Sequence, residues 1–172
     1  TLTGSAQVAV DETLTVTVNG RTYSVGDGNL VFSGNSWSLQ IPAGNAFTSD
    51  GTYDVEVTVT DSAGNRSTNP TSGEFVYDTL PPSPPTVNFL TTNDSTPMLT
   101  GTATLVAGET LLIDLNGQTY GLGGGQLSLA GSYWTLAVPL EATLPEGVYE
   151  VTARAVDAAG NTAMDTTTDE LT

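Results

Sequence analysis

The sequence predicts an all-β protein built as two antiparallel β-sandwiches in tandem, and three observations carry that prediction. Apolar and polar residues alternate with a period of two over several short stretches, as on a half-buried strand. Asn-Gly pairs, among the strongest hairpin signals, close two of those stretches. Most of the first half then recurs in the second half, at a spacing too long for a solenoid unit and right for a domain.

In chain order, Leu14, Val16 and Val18 alternate with Thr13, Thr15 and Thr17, which predicts one strand. Asn19-Gly20 then predicts a tight turn, because both residues tolerate the positive φ of a type I′ hairpin. Tyr53, Val55, Val57 and Val59 alternate with Asp54, Glu56, Thr58 and Thr60, and Asp61 to Asn65 are turn-formers. In the second copy strands are expected near 86–90, 97–104, 110–115, 118–122, 126–129, 133–138, 148–156 and 162–171, with Asn116-Gly117 and Asp157 to Asn161 as turns. Helix signals are nearly absent. Short strands with turns about every eight to twelve residues are the pattern of a sandwich.

The duplication is detailed. Leu2-Thr3-Gly4 recurs as Leu99-Thr100-Gly101, Glu12-Thr13-Leu14 as Glu109-Thr110-Leu111, and Thr22-Tyr23 as Thr119-Tyr120. Trp37 answers to Trp134, Pro42 to Pro139, Tyr53 to Tyr149, and Asp61-x-Ala63-Gly64-Asn65 to Asp157-x-Ala159-Gly160-Asn161. The offset is 97 as far as the proline pair and 96 from the Gly-x-Tyr pair onward, so one residue is missing from a single loop. The expected division is 1–80 and 81–172. The proline-rich stretch from Tyr77 to Pro85 reads as a linker, held extended by its prolines. The first repeat starts at the counterpart of Met98, so it is expected to lack the strand that matches 81–97.

Composition excludes several classes of function. The chain holds 19 acidic residues against three basic ones and no histidine, a net charge of −16. Nothing here could neutralise phosphates, so nucleic acid and anionic lipid are poor partners. No cysteine is present, which excludes disulfides and thiolate metal sites. No window reaches the apolar length of a membrane span. Without His or Cys there is no imidazole base and no thiol nucleophile, and cleavage of glycosidic bonds by paired carboxylates would need a deep cleft. The chain is read as a non-enzyme.

Taken together, Thr-Gly-Thr-Ala, Gly-Glu-Thr-Leu, Asn-Gly-x-Thr-Tyr, Trp-x-Leu-x-x-Pro, Gly-x-Tyr-x-Val and Asp-x-Ala-Gly-Asn, closed by Asp-Thr-x-x-Pro, resemble the bacterial immunoglobulin-like (BIg) repeats of giant RTX-type surface and biofilm adhesins. The resemblance implies two tandem immunoglobulin-like sandwiches, from a protein exported by type I secretion from a Gram-negative cell. It implies an extracellular extender between an outer-membrane anchor and a distal ligand-binding tip, with calcium often held at junctions between domains. The partners it implies are neighbouring repeats of the same polypeptide. The segment itself is expected to be monomeric, with no small-molecule substrate.

The recurrent acids are the candidate metal ligands. If the first strand of a sandwich runs down and the second up, the loop after the second strand and the turn before the last lie at the end where the linker arrives. In the second repeat these hold Glu109 and Asp157 with Asn161, and the linker carries Asp78. Calcium takes about six to eight oxygens from carboxylates, carbonyls, Asn side chains and water, which such a set could supply. Glu12 and Asp61 hold the equivalent places in the first repeat. The competing reading makes Asp157 and Asn161 turn residues and Asp78 a strand cap.

The aromatics point to structure. One tryptophan per repeat at a fixed place in a strand reads as a core anchor rather than a sugar platform, and Tyr53 and Tyr149 read as corner tyrosines bonded to backbone. Gly123-Gly124-Gly125, without a following helix or Lys, is a turn. Two rival functions remain open on sequence: a module that itself grips sugar or protein, and an accessory domain of a secreted polysaccharide-degrading enzyme. The first would need aromatics on one repeat only, where Tyr133 (opposite Ser36) and Phe47 are the few exceptions.

Overall fold

Alternation becomes pairing throughout the computed structural model, which describes residues 1–172 and divides into two units, Thr1–Asp78 and Thr79–Thr172. The first unit contains β1 (Leu2–Ser5), β2 (Thr13–Val18), β3 (Arg21–Ser24), β4 (Leu30–Ser33), β5 (Ser36–Leu39), β6 (Gly51–Tyr53), β7 (Val55–Thr60), β8 (Arg66–Thr68) and β9 (Phe75–Tyr77). The second contains β10 (Thr86–Val87), β11 (Met98–Thr102), β12 (Thr110–Leu115), β13 (Gln118–Gly121), β14 (Leu127–Ala130), β15 (Tyr133–Ala137), β16 (Val151–Val156) and β17 (Thr162–Met164).

The second unit is a sandwich of two four-stranded antiparallel sheets, ordered β10-β11-β15-β14 and β13-β12-β16-β17, the strand order of an immunoglobulin-like domain. Along β12, Leu111, Ile113 and Leu115 point inward and are buried, while Thr110, Leu112 and Asp114 between them do not. They meet Leu99, Leu127 and Leu136 from the other sheet around Trp134, which is 0% exposed. Each such buried side chain contributes about 1.5–3 kcal/mol of apolar transfer energy.

The first unit repeats the plan with sheets β1-β5-β4 and β3-β2-β7-β8, and an additional pair β6-β9. Its core gathers Leu14, Val16, Val18, Leu30, Leu39 and Val55 about Trp37. Phe47, which has no aromatic counterpart in the second repeat, stacks against Tyr53 and Phe75 at ring-centroid distances of 4.6 and 4.7 Å and so belongs to this packing. No strand pairs with the free edge of β1, where β10 pairs with β11 in the second unit.

The turn chemistry follows the sequence. Asn19 and Gly20 have φ of 51° and 71°, and Asn116 and Gly117 have 47° and 78°, the left-handed pairs of type I′ hairpins. The Tyr53 hydroxyl donates to the Ser49 carbonyl at 2.6 Å and that of Tyr149 to the Pro145 carbonyl at 2.7 Å, so both are corner tyrosines. The recurrent Leu-Thr-Gly also gains a cause. A Cβ on Gly4 or Gly101 would lie 2.5 Å from a ring carbon of Trp37 or Trp134, so the indole rests directly on backbone.

Three expected strands are shorter than the sequence suggested: 86–90 is paired as β10 only over Thr86–Val87, and two others are cut short as well. The stretch 148–156 is paired as β16 only from Val151, and 162–171 as β17 only to Met164, with Tyr149 and Leu171 meeting in an isolated bridge. Side chains replace the ladder here. The Val151 N–H donates to Glu170 Oε2 at 3.0 Å and the Ala153 N–H to Asp165 Oδ1 at 2.7 Å. Val55 and Val57 do the same with Glu74 Oε2 and Asn69 Oδ1.

Candidate functional site

The acidic loops at one end of each sandwich are built by reciprocal turns. In the second repeat the Glu109 N–H donates to the Val106 carbonyl, and the Val106 N–H returns to Glu109 Oε2 at 2.9 Å. Ala9 and Glu12 repeat the arrangement in the first, with the Ala9 N–H 2.8 Å from Glu12 Oε2. One position past Glu109, Thr110 pairs with Val156 across the sheet, and Thr13 likewise pairs with Thr60. Register therefore sets Glu109 beside Asp157 and Glu12 beside Asp61. Contact between the loops is direct, since a Cβ on Gly108 would sit 3.9 Å from that of Ala158.

Asp157 and Asp61 organise their own turns. Asp157 Oδ1 accepts the Asn161 N–H and Oδ2 the Asn161 amide, both at 2.8 Å. Asp61 Oδ1 accepts the N–H groups of Ala63 and Asn65, and Oδ2 the Asn65 amide. These donors favour the ionised form. The Asn65 side chain, then its N–H, holds Asp61 below the ordinary carboxylate range. For Asp157 desolvation pulls upward, but the Asn161 amide together with the N–H groups of Asn161, Gly160 and Ala159 outweighs it, and the net direction is down.

Thr86 pairs with Thr102, so the chain arriving from the linker enters the second sandwich at the end that carries loop 103–109. Glu109, Asp157, Asn161 and the incoming backbone thus share one end, as the strand-direction argument required. Asp78 closes the first unit, just after β9. Oxygen donors of this kind suit calcium in type. In number they are few: no three acidic side chains come together as a metal-holding group. Glu109, Asp157 and Asn161 would supply part of a shell, and Glu12 with Asp61 a similar part, while the turn role of the aspartates is already in place.

The acids that sequence reasoning missed are those that replace ladder bonds. Glu74 and Glu170 stand in the same place in the two copies, as do Asn69 and Asp165, and that recurrence was the signal available. In the first repeat the Asn69 amide donates to Glu74 Oε1 at 3.0 Å. In the second, Asp165 cannot donate that bond, and Glu170, 2% exposed, keeps Oε1 without a partner. Asp27 is another internal acceptor, taking the N–H groups of Leu30, Asn29 and Ser24, which lower its pKa. Asp114 and Arg154 form an ion pair at 2.8 Å. Much of the acidity is therefore spent on backbone donors.

Neither tryptophan is a sugar platform: Trp134 is inaccessible and Trp37 is 6% exposed. Tyr133 is exposed on β15 as a single aromatic of one copy.

No curated protein sequence matches the chain. Among solved structures the chain is similar to one from a 1.5-MDa bacterial ice-binding adhesin, at 26% identity over 98% of this chain and 56% of that one, with a TM-score of 0.45. It thus spans little more than half of that adhesin chain. It is also similar to murine CEACAM1b (13% identity, 97% and 88% coverage, TM-score 0.44) and to a chimeric titin Z1Z2 tandem (19%, 98% and 87%, 0.38). The family model described as bacterial Ig-like domain matches twice, over residues 1–79 and 89–171. With both sandwiches covered, the chain belongs to the bacterial Ig-like domain family and carries two tandem copies of it.

Proposed function

We propose that the two repeats are a spacer segment of a large bacterial surface adhesin, outside the cell, holding a distal ligand-binding tip away from its anchor. The observation that carries this reading is the fate of the recurrent aromatics. Trp37 and Trp134 are buried in the two cores, and Tyr53 and Tyr149 are tied to backbone carbonyls. What the duplication preserves is a scaffold rather than a binding surface, as a structural, non-catalytic role requires. Family membership and the motif resemblance support the same reading.

In this proposal calcium stiffens the segment. Glu109, Asp157 and Asn161 would supply oxygens at the end where the linker arrives, and Asp78 would supply the linker's own carboxylate. Glu12 and Asp61 would do the equivalent for the first repeat toward a neighbouring domain. The cation would offset crowded negative charge and favour extended arrangements by binding them preferentially. Small-angle scattering tests it: calcium is expected to narrow the distribution of end-to-end distances and chelation to broaden it. Asp78→Ala should act like chelation while leaving both sandwiches folded, and magnesium should substitute poorly, because it gives up water reluctantly. Superimposable profiles with and without calcium would remove the stiffening role and leave the acidic loops as turn structure.

A further inference from the structure

The loop that takes over from the last sheet strand is built alike in the two repeats, atom by atom, except at one contact. In the first repeat Asn69 Oδ1 accepts the Val57 N–H at 2.6 Å and Glu74 Oε2 the Val55 N–H at 3.0 Å. In the second, Asp165 Oδ1 accepts the Ala153 N–H at 2.7 Å and Glu170 Oε2 the Val151 N–H at 3.0 Å. The other terminal atom of Asn69 or Asp165 meets the threonine two positions on. The Asn69 amide donates to Thr71 Oγ1 at 3.1 Å, and Thr167 Oγ1 donates to Asp165 Oδ2 at 3.1 Å. Asp165 Oδ2 therefore stands where the first repeat has an amide nitrogen, and that nitrogen donates to Glu74 Oε1 at 3.0 Å.

The exchange leaves two carboxylate oxygens turned toward one position with no hydrogen between them. Glu170 is 2% exposed, and its Oε1 is buried without a partner. Burying a charged oxygen unpaired is costly, and folded proteins supply such a group with a donor or a cation. Basic side chains do not fill the role. The chain has no lysine and no histidine; Arg21 and Arg66 belong to the first unit, and Arg154 pairs with Asp114. A second difference adds charge to the same loop. Asp169, at φ 61°, replaces Gly73, at φ 73°, and its N–H donates to Glu150 Oε2 as that of Gly73 does to Asp54 Oδ1. Residues 165–170 thus carry Asp165, Asp169 and Glu170 where 69–74 carry Glu74 alone.

We propose that Asp165 and Glu170 hold a calcium ion at this loop of the second repeat, with Thr167 Oγ1 as a further oxygen. Every donor is a hard oxygen, as calcium prefers, and the half-buried Asp165 and Thr167 give the ion a way in from solvent. Two carboxylates make a short ligand set, with carbonyls and water completing the shell. The affinity accordingly falls with that of extracellular calcium modules, about 0.1–1 mM. The site lies within one sandwich, on residues other than the acids assigned to the linker end, so it stands independently of the stiffening role.

The test is a calcium titration of the whole chain, first cleared of metal with a chelator and followed by NMR. The amide signals of Val151 and Ala153, whose N–H groups rest on the two carboxylates, should shift and saturate with a midpoint of about 0.1–1 mM. Those of Val55 and Val57, on the same frame with an amide in the gap, should not move. Asp165→Asn places that amide in the second repeat and should weaken the response at least about tenfold, because the charge of the ligands tunes affinity. The reciprocal Asn69→Asp should bring the response to Val55 and Val57. No saturable shift at Val151 and Ala153 up to about 10 mM calcium would overturn the proposal, being beyond the range of such modules. Equal responses from the parent and Asp165→Asn would overturn it too. Shifts confined to Glu109, Asp157 and Asn161 would remove this site while supporting a cation at the linker end.

Discussion

At the scale of single residues, the two indoles and the internal carboxylates carry the largest consequences. Trp134→Ala empties the centre of a fully enclosed core and should cost about 3–5 kcal/mol, measured by chemical denaturation. Retained stability with loss of binding to some glycan would argue for the sugar-platform reading instead. A second expectation concerns Glu170. Asp165→Asn restores the amide that Asn69 offers Glu74 at 3.0 Å, so it should stabilise the second repeat by about 1 kcal/mol. Asp165→Ala should destabilise, because it strips the acceptor from the Ala153 N–H. These residues were the least legible in the sequence. Thr, Asn and Asp in loops announce turns, and nothing in their spacing shows that a side chain will reach across to a neighbouring strand. Asp61 and Asp157 were legible as turn-formers because their partners lie within four residues.

At the scale of elements, the strands that alternate cleanly, β2, β7, β12 and β16, sit where the pattern puts them, since a period of two and a buried face leave one register. The overrun at 148–150 and 165–171 has a physical reason. The inward-outward pattern of side chains persists through Tyr149 and Val151, but Glu170 and Asp165 intercept the backbone donors and the ladder stops. The hairpins and corner tyrosines were readable because each depends on a residue's own backbone preference or on a partner a few positions away. The open edge of β1 was legible only by counting one copy against the other. It sets the expectation that amides of Leu2–Ser5 exchange faster than those of Met98–Thr102, and that the first repeat melts earlier. Equal protection of β1 and β11 in a monomeric sample would contradict this.

At the scale of the whole molecule, charge and acid response belong together. Asp27, Asp61, Glu74, Asp114 and Asp157 all have pKa values lowered in the folded protein. The Leu30 N–H leads for Asp27, the Asn65 side chain for Asp61 and the Thr71 side chain for Glu74. For Asp114 and Asp157 desolvation is the largest influence and opposes the shift, and hydrogen bonds from Thr119 and Arg154, or from Asn161, overcome it. A depressed carboxylate contributes stability that is complete above its unfolded pKa and is lost as pH falls through its folded one. Denaturation midpoints should therefore hold from neutrality to about pH 5 and decline below the ordinary carboxylate range, about pH 4. A midpoint that rises steadily down to that range and beyond would mean that relief of the −16 charge dominates instead.

The terminal pairing of the second sandwich carries one more consequence, which concerns tension. Leu90 lies parallel to Leu171, with the Leu90 N–H on the Glu170 carbonyl, the Thr172 N–H on the Leu90 carbonyl and the Thr92 N–H on the Thr172 carbonyl. A pull along the backbone in opposite directions at the two ends of this repeat loads those three bonds side by side, in shear, so they resist together rather than peeling one at a time. The first repeat has no strand in the β10 place to form such a clamp. Stretched between a surface and a cantilever, the chain should give way in two events, the first repeat yielding at the lower force. Leu90→Pro, which removes the N–H that bonds Glu170, should bring the second event down toward the first.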